Sequence, residues 1–122
     1  MWCRGIRGAT TADSNTRDAI LEAAKELLQK MVTVNGIAIE DIACAIFTVT
    51  KDLNAEFPAA AARELGWSNV ALLCGNEIDV PGSLRRCLRI LLLCNTEKRA
   101  EDIVHVYVKG ATDLKSNSQK SE

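Results

Sequence analysis

Along this chain the spacing of apolar residues switches between two and about three and a half, and the switches lay out its elements. The most apolar stretch is Leu84 to Cys94, Leu-Arg-Arg-Cys-Leu-Arg-Ile-Leu-Leu-Leu-Cys. Its length, its bounding turn residues and its weak helical amphipathicity predict a strand. Alternate residues of a strand share a face. Cys87, Arg89, Leu91 and Leu93 then line one face, and Leu88, Ile90, Leu92 and Cys94 the other. Both faces are apolar, which predicts a central strand covered on both sides. Arg89 is a guanidinium planted in one of them. Such a charge is costly unless it is paired or meets a ligand, and arginine cannot escape by losing its proton. Two readings stand: an internal ion pair with Glu77 or Asp79, or an anion-binding role.

The other elements follow in order. Trp2 to Thr10 reads as a first strand, with Cys3, Gly5 and Arg7 on one face and Arg4 and Ile6 on the other. Gly5 and Gly8 point to a bulge or a close backbone approach, and Arg7 between them reads most simply as a solvated group in open space. Capping residues at Thr10 to Ser14 introduce a helix to about Thr33. Ile20, Ala23, Ala24, Leu27, Leu28 and Met31 form its apolar stripe, and Asn35-Gly36 ends it. Ile42 to Thr50 is a second strand, whose first residues equally suit a helical turn, and Phe57 to Gly66 a short helix, with Pro58 in its first turn and Gly66 at its end. Arg63 near that end suits the helix dipole. Asn69 to Gly75 is a third strand, Asn76 to Ser83 a polar loop suited to a site, and Asn95 to Asp102 a polar connection with room for one helical turn. Ile103 to Val108 is the last strand, with Ile103, His105 and Tyr107 on one face. The sum is an α+β domain over residues 1–115, with a sheet of about five strands, one long helix and one short one. Ser116 to Glu122 is a polar tail.

A chain of 122 residues suits one domain with a real core. A net charge of -1 and 4% aromatics leave neither the basic footprint nor the stacking platforms of a nucleic-acid binder. No apolar run reaches the ~20 residues of a spanning helix, and no signal peptide is visible, since no apolar run follows Arg4 and Arg7. Five cysteines without a Cys-x-x-Cys pair, beside one histidine, predict reduced thiols in a cytoplasmic protein and no metal site. No Gly-x-Ser-x-Gly or phosphate loop is present. His105 reads as structural and Cys74 as packing. What remains is Arg7, Arg63 and Arg89 with Glu77 and Tyr107. Guanidinium forks suit carboxylates, so the residues alone point to a small molecule bearing more than one carboxylate.

Several stretches resemble, in order and nearly in register, the monofunctional α/β-type chorismate mutases. They are Arg4-Gly5-Ile6-Arg7-Gly8-Ala9-Thr10-Thr11, Asp52 to Ala59, Arg63-Glu64-Leu65-Gly66-Trp67, Cys74 with Glu77 to Val80, Leu84 to Arg89, and His105-Val106-Tyr107. The resemblance implies a mixed sheet in a barrel-like homotrimer with active sites between neighbours. It implies rearrangement of chorismate to prephenate on the route to phenylalanine and tyrosine, without cofactor or metal. By that likeness Arg89 meets the ether oxygen of the breaking bond and one carboxylate, Arg7 holds a carboxylate, and Tyr107 contacts a carboxylate too. Glu77 and Cys74 contact the ring hydroxyl, with Leu73, Gly75 and Asn76 lining the pocket. Phe57, Ala59 and Arg63 wall the site from the neighbouring subunit, and Leu114 closes over it. The chain departs from the pattern at Ala60, where some members carry Lys, and at Lys115, where some carry Arg.

The implied chemistry fits the inventory. A pericyclic rearrangement needs no nucleophile and no general base. It needs the substrate held in its folded conformer and a fixed cation where negative charge grows on the ether oxygen. Two other readings use similar residues: an imine deaminase on a trimeric scaffold, and a non-catalytic sensor of an aromatic-pathway metabolite.

Overall fold

In the computed structural model, which describes residues 1–114, two ten-residue strands far apart in the sequence meet in the middle of one sheet. β1 (Trp2–Thr11) pairs antiparallel with β4 (Cys87–Thr96) along its whole length, from Trp2 opposite Thr96 to Thr11 opposite Cys87. β2 (Ile42–Val49) flanks β4 on its other side, also antiparallel. β3 (Ala71–Asn76) adds in parallel to β2, and the two-residue β5 (Val106–Tyr107) adds in parallel to β1. The order is β3-β2-β4-β1-β5, a mixed five-stranded sheet with β4 at its centre. Two helices, α1 (Arg17–Asn35) and α2 (Ala59–Glu64), complete the α+β domain.

The core lies between one face of the sheet and the helices. Ile20, Ala23, Ala24, Leu27, Leu28 and Met31 of α1 are all buried, as the stripe predicts, in one cluster with Ile6, Phe47, Leu88, Ile90 and Leu92. The close approach expected at the glycines of β1 occurs at Gly8. A Cβ there would run into Met31 Sδ and lie 3.1 Å from Leu27 Cδ1. α1 ends at Gly36, whose φ of 61° needs a residue without a Cβ and whose amide donates to the last turn.

Several boundaries differ from the sequence expectation. Thr10 and Thr11 belong to β1, and the cap of α1 is Thr16, whose hydroxyl accepts from the Ala19 amide at 3.2 Å. β4 starts at Cys87 rather than Leu84. Arg86 has a φ of 47°, which breaks the extended run, and Asp52 holds its amide at 2.9 Å. The last strand is shorter than Ile103 to Val108. The buried Asn35 side chain takes both backbone groups of Val104, and His105 Nδ1 accepts the Arg7 amide at 2.9 Å. Those groups are therefore spent on side chains rather than on a ladder. The central strand is not covered on both sides within the chain: Leu88, Ile90, Leu92 and Cys94 are buried, whereas Arg89, Leu91 and Leu93 are only half-buried. No helix of the described residues is long and apolar enough to cross a membrane. Lys115 and the tail from Ser116 to Glu122 lie outside the described residues.

Candidate active site

The half-covered face of the sheet gathers the charged residues. The register sets Arg89 of β4 opposite Ala9 of β1 and Thr48 of β2, Arg7 opposite Leu91, and Tyr107 beside Ala9. Period-two alternation therefore puts Arg7, Thr48, Arg89 and Tyr107 on one face. Glu77 joins them one residue beyond β3, where its amide donates to the Val49 carbonyl at 2.9 Å. These five side chains, with Ile46, Ile90 and Leu91, line a cleft of about 270 Å³.

Arg89 Nε lies 3.4 Å from Glu77 Oε1, with the two side chains 41% and 28% exposed. The internal ion pair considered from sequence is thus present and sits inside the cleft. The alternative partner, Asp79, pairs instead with Lys51 at 2.7 Å on the surface. Nε is itself buried and makes no hydrogen bond, so the Glu77 contact is an attraction between charges without hydrogen-bond geometry. One carboxylate does not exhaust the five donors of a guanidinium. The same Oε1 accepts the Thr48 hydroxyl at 2.6 Å.

The frame around Arg89 is built from polar contacts. Asp52 accepts from the Thr50 hydroxyl and from the Arg86 amide. Burial works to raise its pKa, but those hydrogen bonds and the nearby Arg85 charge outweigh it and hold the carboxyl below its ordinary value. Thr50 also accepts the Cys87 amide at 3.0 Å, which ties the start of β4 to the end of β2 two residues before Arg89. Burial pushes the Cys87 thiol up, against the pull of Arg89, and an inert thiol results. All five cysteines are free thiols. Among the described residues no group of three His, Cys, Asp or Glu side chains could hold a metal.

The remaining predicted residues lie elsewhere on the chain. Phe57, Cys74, Gly75 and Asn76 line a second cleft of about 370 Å³ with Leu53, Asn54 and Glu56. Phe57 is 69% exposed and Leu73 63% exposed. Arg63 is exposed on α2, Leu114 is half-buried, and neither lines the cation cleft. Ala59 is 2% exposed, so its methyl belongs to the core. Thr48 was not anticipated from sequence. Its hydroxyl on the half-covered face was visible, but the β2–β4 register that sets it against Arg89 was not.

Residues 3–118 match the family model for chorismate mutase type I. The chain belongs to that family. Two curated relatives are chorismate mutase AroH of Thermus thermophilus, 46% identical over 120 residues covering 98% of both chains, and chorismate mutase AroH of Bacillus subtilis, 40% identical over 116 residues covering 94% of this chain and 91% of its own. A chorismate mutase structure from Clostridium thermocellum superposes with a TM-score of 0.90 at 53% identity, covering 93% of this chain and all of the other. As a type I chorismate mutase the chain is an isomerase of aromatic amino acid biosynthesis. The mixed sheet expected from the opening octet and the His-Val-Tyr segment is the one observed.

Proposed function

We propose that this chorismate mutase turns chorismate into prephenate on the cation cleft, with Arg89 as the catalytic charge. The observation that carries this reading is the convergence of Arg7, Arg89, Glu77 and Tyr107 from four separate segments on one face of the sheet. The two guanidiniums and the phenol suit the substrate's two carboxylates and its ether oxygen. As the C–O bond lengthens, negative charge grows on that oxygen. Arg89, fixed by β4 and poor in hydrogen bonds at Nε, stabilises it without reorganising. Only the part of the contact that strengthens in the transition state raises the rate. Arg7 and Tyr107 hold carboxylates, which selects the folded conformer, and Glu77 accepts from the ring hydroxyl.

The site is completed by a neighbouring copy in a homotrimer. Two features support this. Leu91 and Leu93 lie half-open on the face that also carries the exposed Leu73, across Ile46 from Leu91. Phe57, Cys74, Gly75 and Asn76 line a different cleft of the same chain from Arg89, so a neighbour's Phe57 cleft would wall the substrate bound at the first chain's Arg89, with that neighbour's Arg63 joining on the family likeness. Ala59, buried in the core, serves the site only through α2, and Leu114 closes over it. We place the reaction in the cytoplasm, on the free thiols and near-neutral charge, with neither nucleic acid nor membrane as partner and with no cofactor.

The test is chorismate consumption with prephenate detection on purified protein and on Arg89→Ala, without added metal or cofactor. Removing one such donor costs on the order of 3–4 kcal/mol, about 10²–10³ in kcat. Fast conversion by the native chain and a loss of that size in the variant is expected. Equal turnover by both would move the charge stabilisation away from Arg89, and sedimentation as a monomer would remove the interface site.

A further inference from the structure

The hydroxyl of Thr48 has a place in the cleft that the roles above do not use. The register puts Thr48 directly across from Arg89 on one side and from Gly75 on the other. Glu77, two residues past Gly75, reaches back over it. A carboxylate only accepts, so the 2.6 Å contact is a hydrogen bond from Thr48 Oγ1 to Glu77 Oε1. That oxygen is also the one 3.4 Å from Arg89 Nε. Arginine and carboxylate ordinarily close into a short, often bidentate fork. Here they do not, and Nε keeps no hydrogen bond.

We propose that Thr48 is a positioning residue: its hydroxyl holds Glu77 Oε1 away from Arg89, so that the guanidinium stays available to the ether oxygen and Glu77 Oε2 to the ring hydroxyl. Among the described residues Oε2 has no partner. Without the Thr48 hydroxyl, Arg89, the cation 3.4 Å away, is the nearest charge drawing Glu77 among the described residues. The carboxylate then closes onto the cation and spends on a ground-state pair the charge that the transition state needs. This inference rests on the roles proposed for Arg89 and Glu77.

Thr48→Val keeps the shape and the β-branch and removes only the hydroxyl; Thr48→Ala removes it without the branch; Thr48→Ser restores it. A hydrogen bond to a charged group sets the scale, so kcat should fall about tenfold or more in Thr48→Val and Thr48→Ala, with KM changed less than about threefold and Thr48→Ser within about threefold of native. On a Glu77→Ala background, Thr48→Val should add less than about twofold, because nothing is left to position. Native kcat in Thr48→Val beside an impaired Glu77→Ala would overturn the role of Thr48 alone. So would an undiminished Thr48→Val loss on the Glu77→Ala background, or a Thr48→Ser as poor as Thr48→Val, since each marks a merely structural effect. Native activity in Glu77→Ala and Arg89→Ala would instead remove the reading of the site on which the inference stands.

Discussion

Replacing Asn35 should loosen the sheet edge that carries Tyr107. Asn35 is 1% exposed at the last residue of α1. Its Nδ2 donates to the Met31 carbonyl at 2.8 Å and to the Val104 carbonyl at 2.9 Å, and its Oδ1 accepts the Val104 amide at 2.8 Å. One side chain thus stands in for the sheet partner that Val104 lacks. Asn35→Ala orphans both backbone groups of Val104, at roughly 1–2 kcal/mol each where water reaches only part of the segment. The expected loss is about 3 kcal/mol, a large share of the ~5–15 kcal/mol that holds a domain. At about 4 °C per kcal/mol for a chain of this size, the melting midpoint falls by about 12 °C. Melting is compared at one protein concentration, since the proposed assembly would shift the midpoint by mass action. Tyr107 lies three residues beyond Val104, so kcat/KM should fall as well, below the melting range. Asn35→Asp should be worse than Asn35→Ala at neutral pH, because a carboxylate would face two carbonyls with no proton to donate. It should recover relative to Ala in acid, when one proton returns. A midpoint within about 4 °C of native for Asn35→Ala would refute the reasoning, by showing that Val104 finds other partners at little cost.

Three further outcomes are expected. Arg89→Lys should keep the fold and lose most of its turnover, roughly tenfold or more, because an ammonium lacks the planar fork; near-native kcat would show that a point charge suffices. Gly8→Ala should cost about 1–3 kcal/mol in urea unfolding, through crowding of Met31 and Leu27, and an unchanged midpoint would mean that Met31 moves aside freely. Asp52 has its folded pKa held below its ordinary 3.8, so the unfolded chain takes up the proton first as pH falls. Its stabilising contribution is therefore present above that value and lost below it. The melting midpoints of native protein and Asp52→Asn should converge as pH drops below 3.8; a gap as wide at pH 3 as at pH 7 would exclude the carboxylate as its source.

Local patterns made the core legible and left the geometry of the site partly hidden. The stripe on α1 and the alternation in β4 each identify their buried side, because periodicity alone decides which residues share a face. Arg89 stood out for the same reason, as a charge on an apolar face. Its partners were harder to see. Glu77 and Asp79 are equally acidic and nearly adjacent, and only the turn out of β3 sends one to Arg89 and the other to Lys51. The end of β1 and the start of β4 differ from the sequence expectation because their limits are set across the sheet: Thr11 pairs with Cys87, while Arg86 is held by Asp52 from another segment. The expectation that both faces of β4 are covered fails within one chain for an informative reason. Leu91 and Leu93 are as apolar as residues meant for burial, yet α1 lies on the other side. Apolar residues left half-open around a charged cleft mark a surface that a second copy is suited to cover. On that view the sequence was right about the chemistry of the face and silent only on which chain buries it. In the proposed assembly Arg89 is then set up twice: within its own sheet Thr48 keeps Glu77 off it, and from outside the neighbour would exclude water from it. A dry site makes each charge contact stronger than it would be in solvent, which in the proposed trimer would tie the rate of the rearrangement to assembly. Turnover per chain should therefore fall on dilution in step with loss of the trimer in sedimentation, and constant turnover through dissociation would show that the single chain's cleft is sufficient.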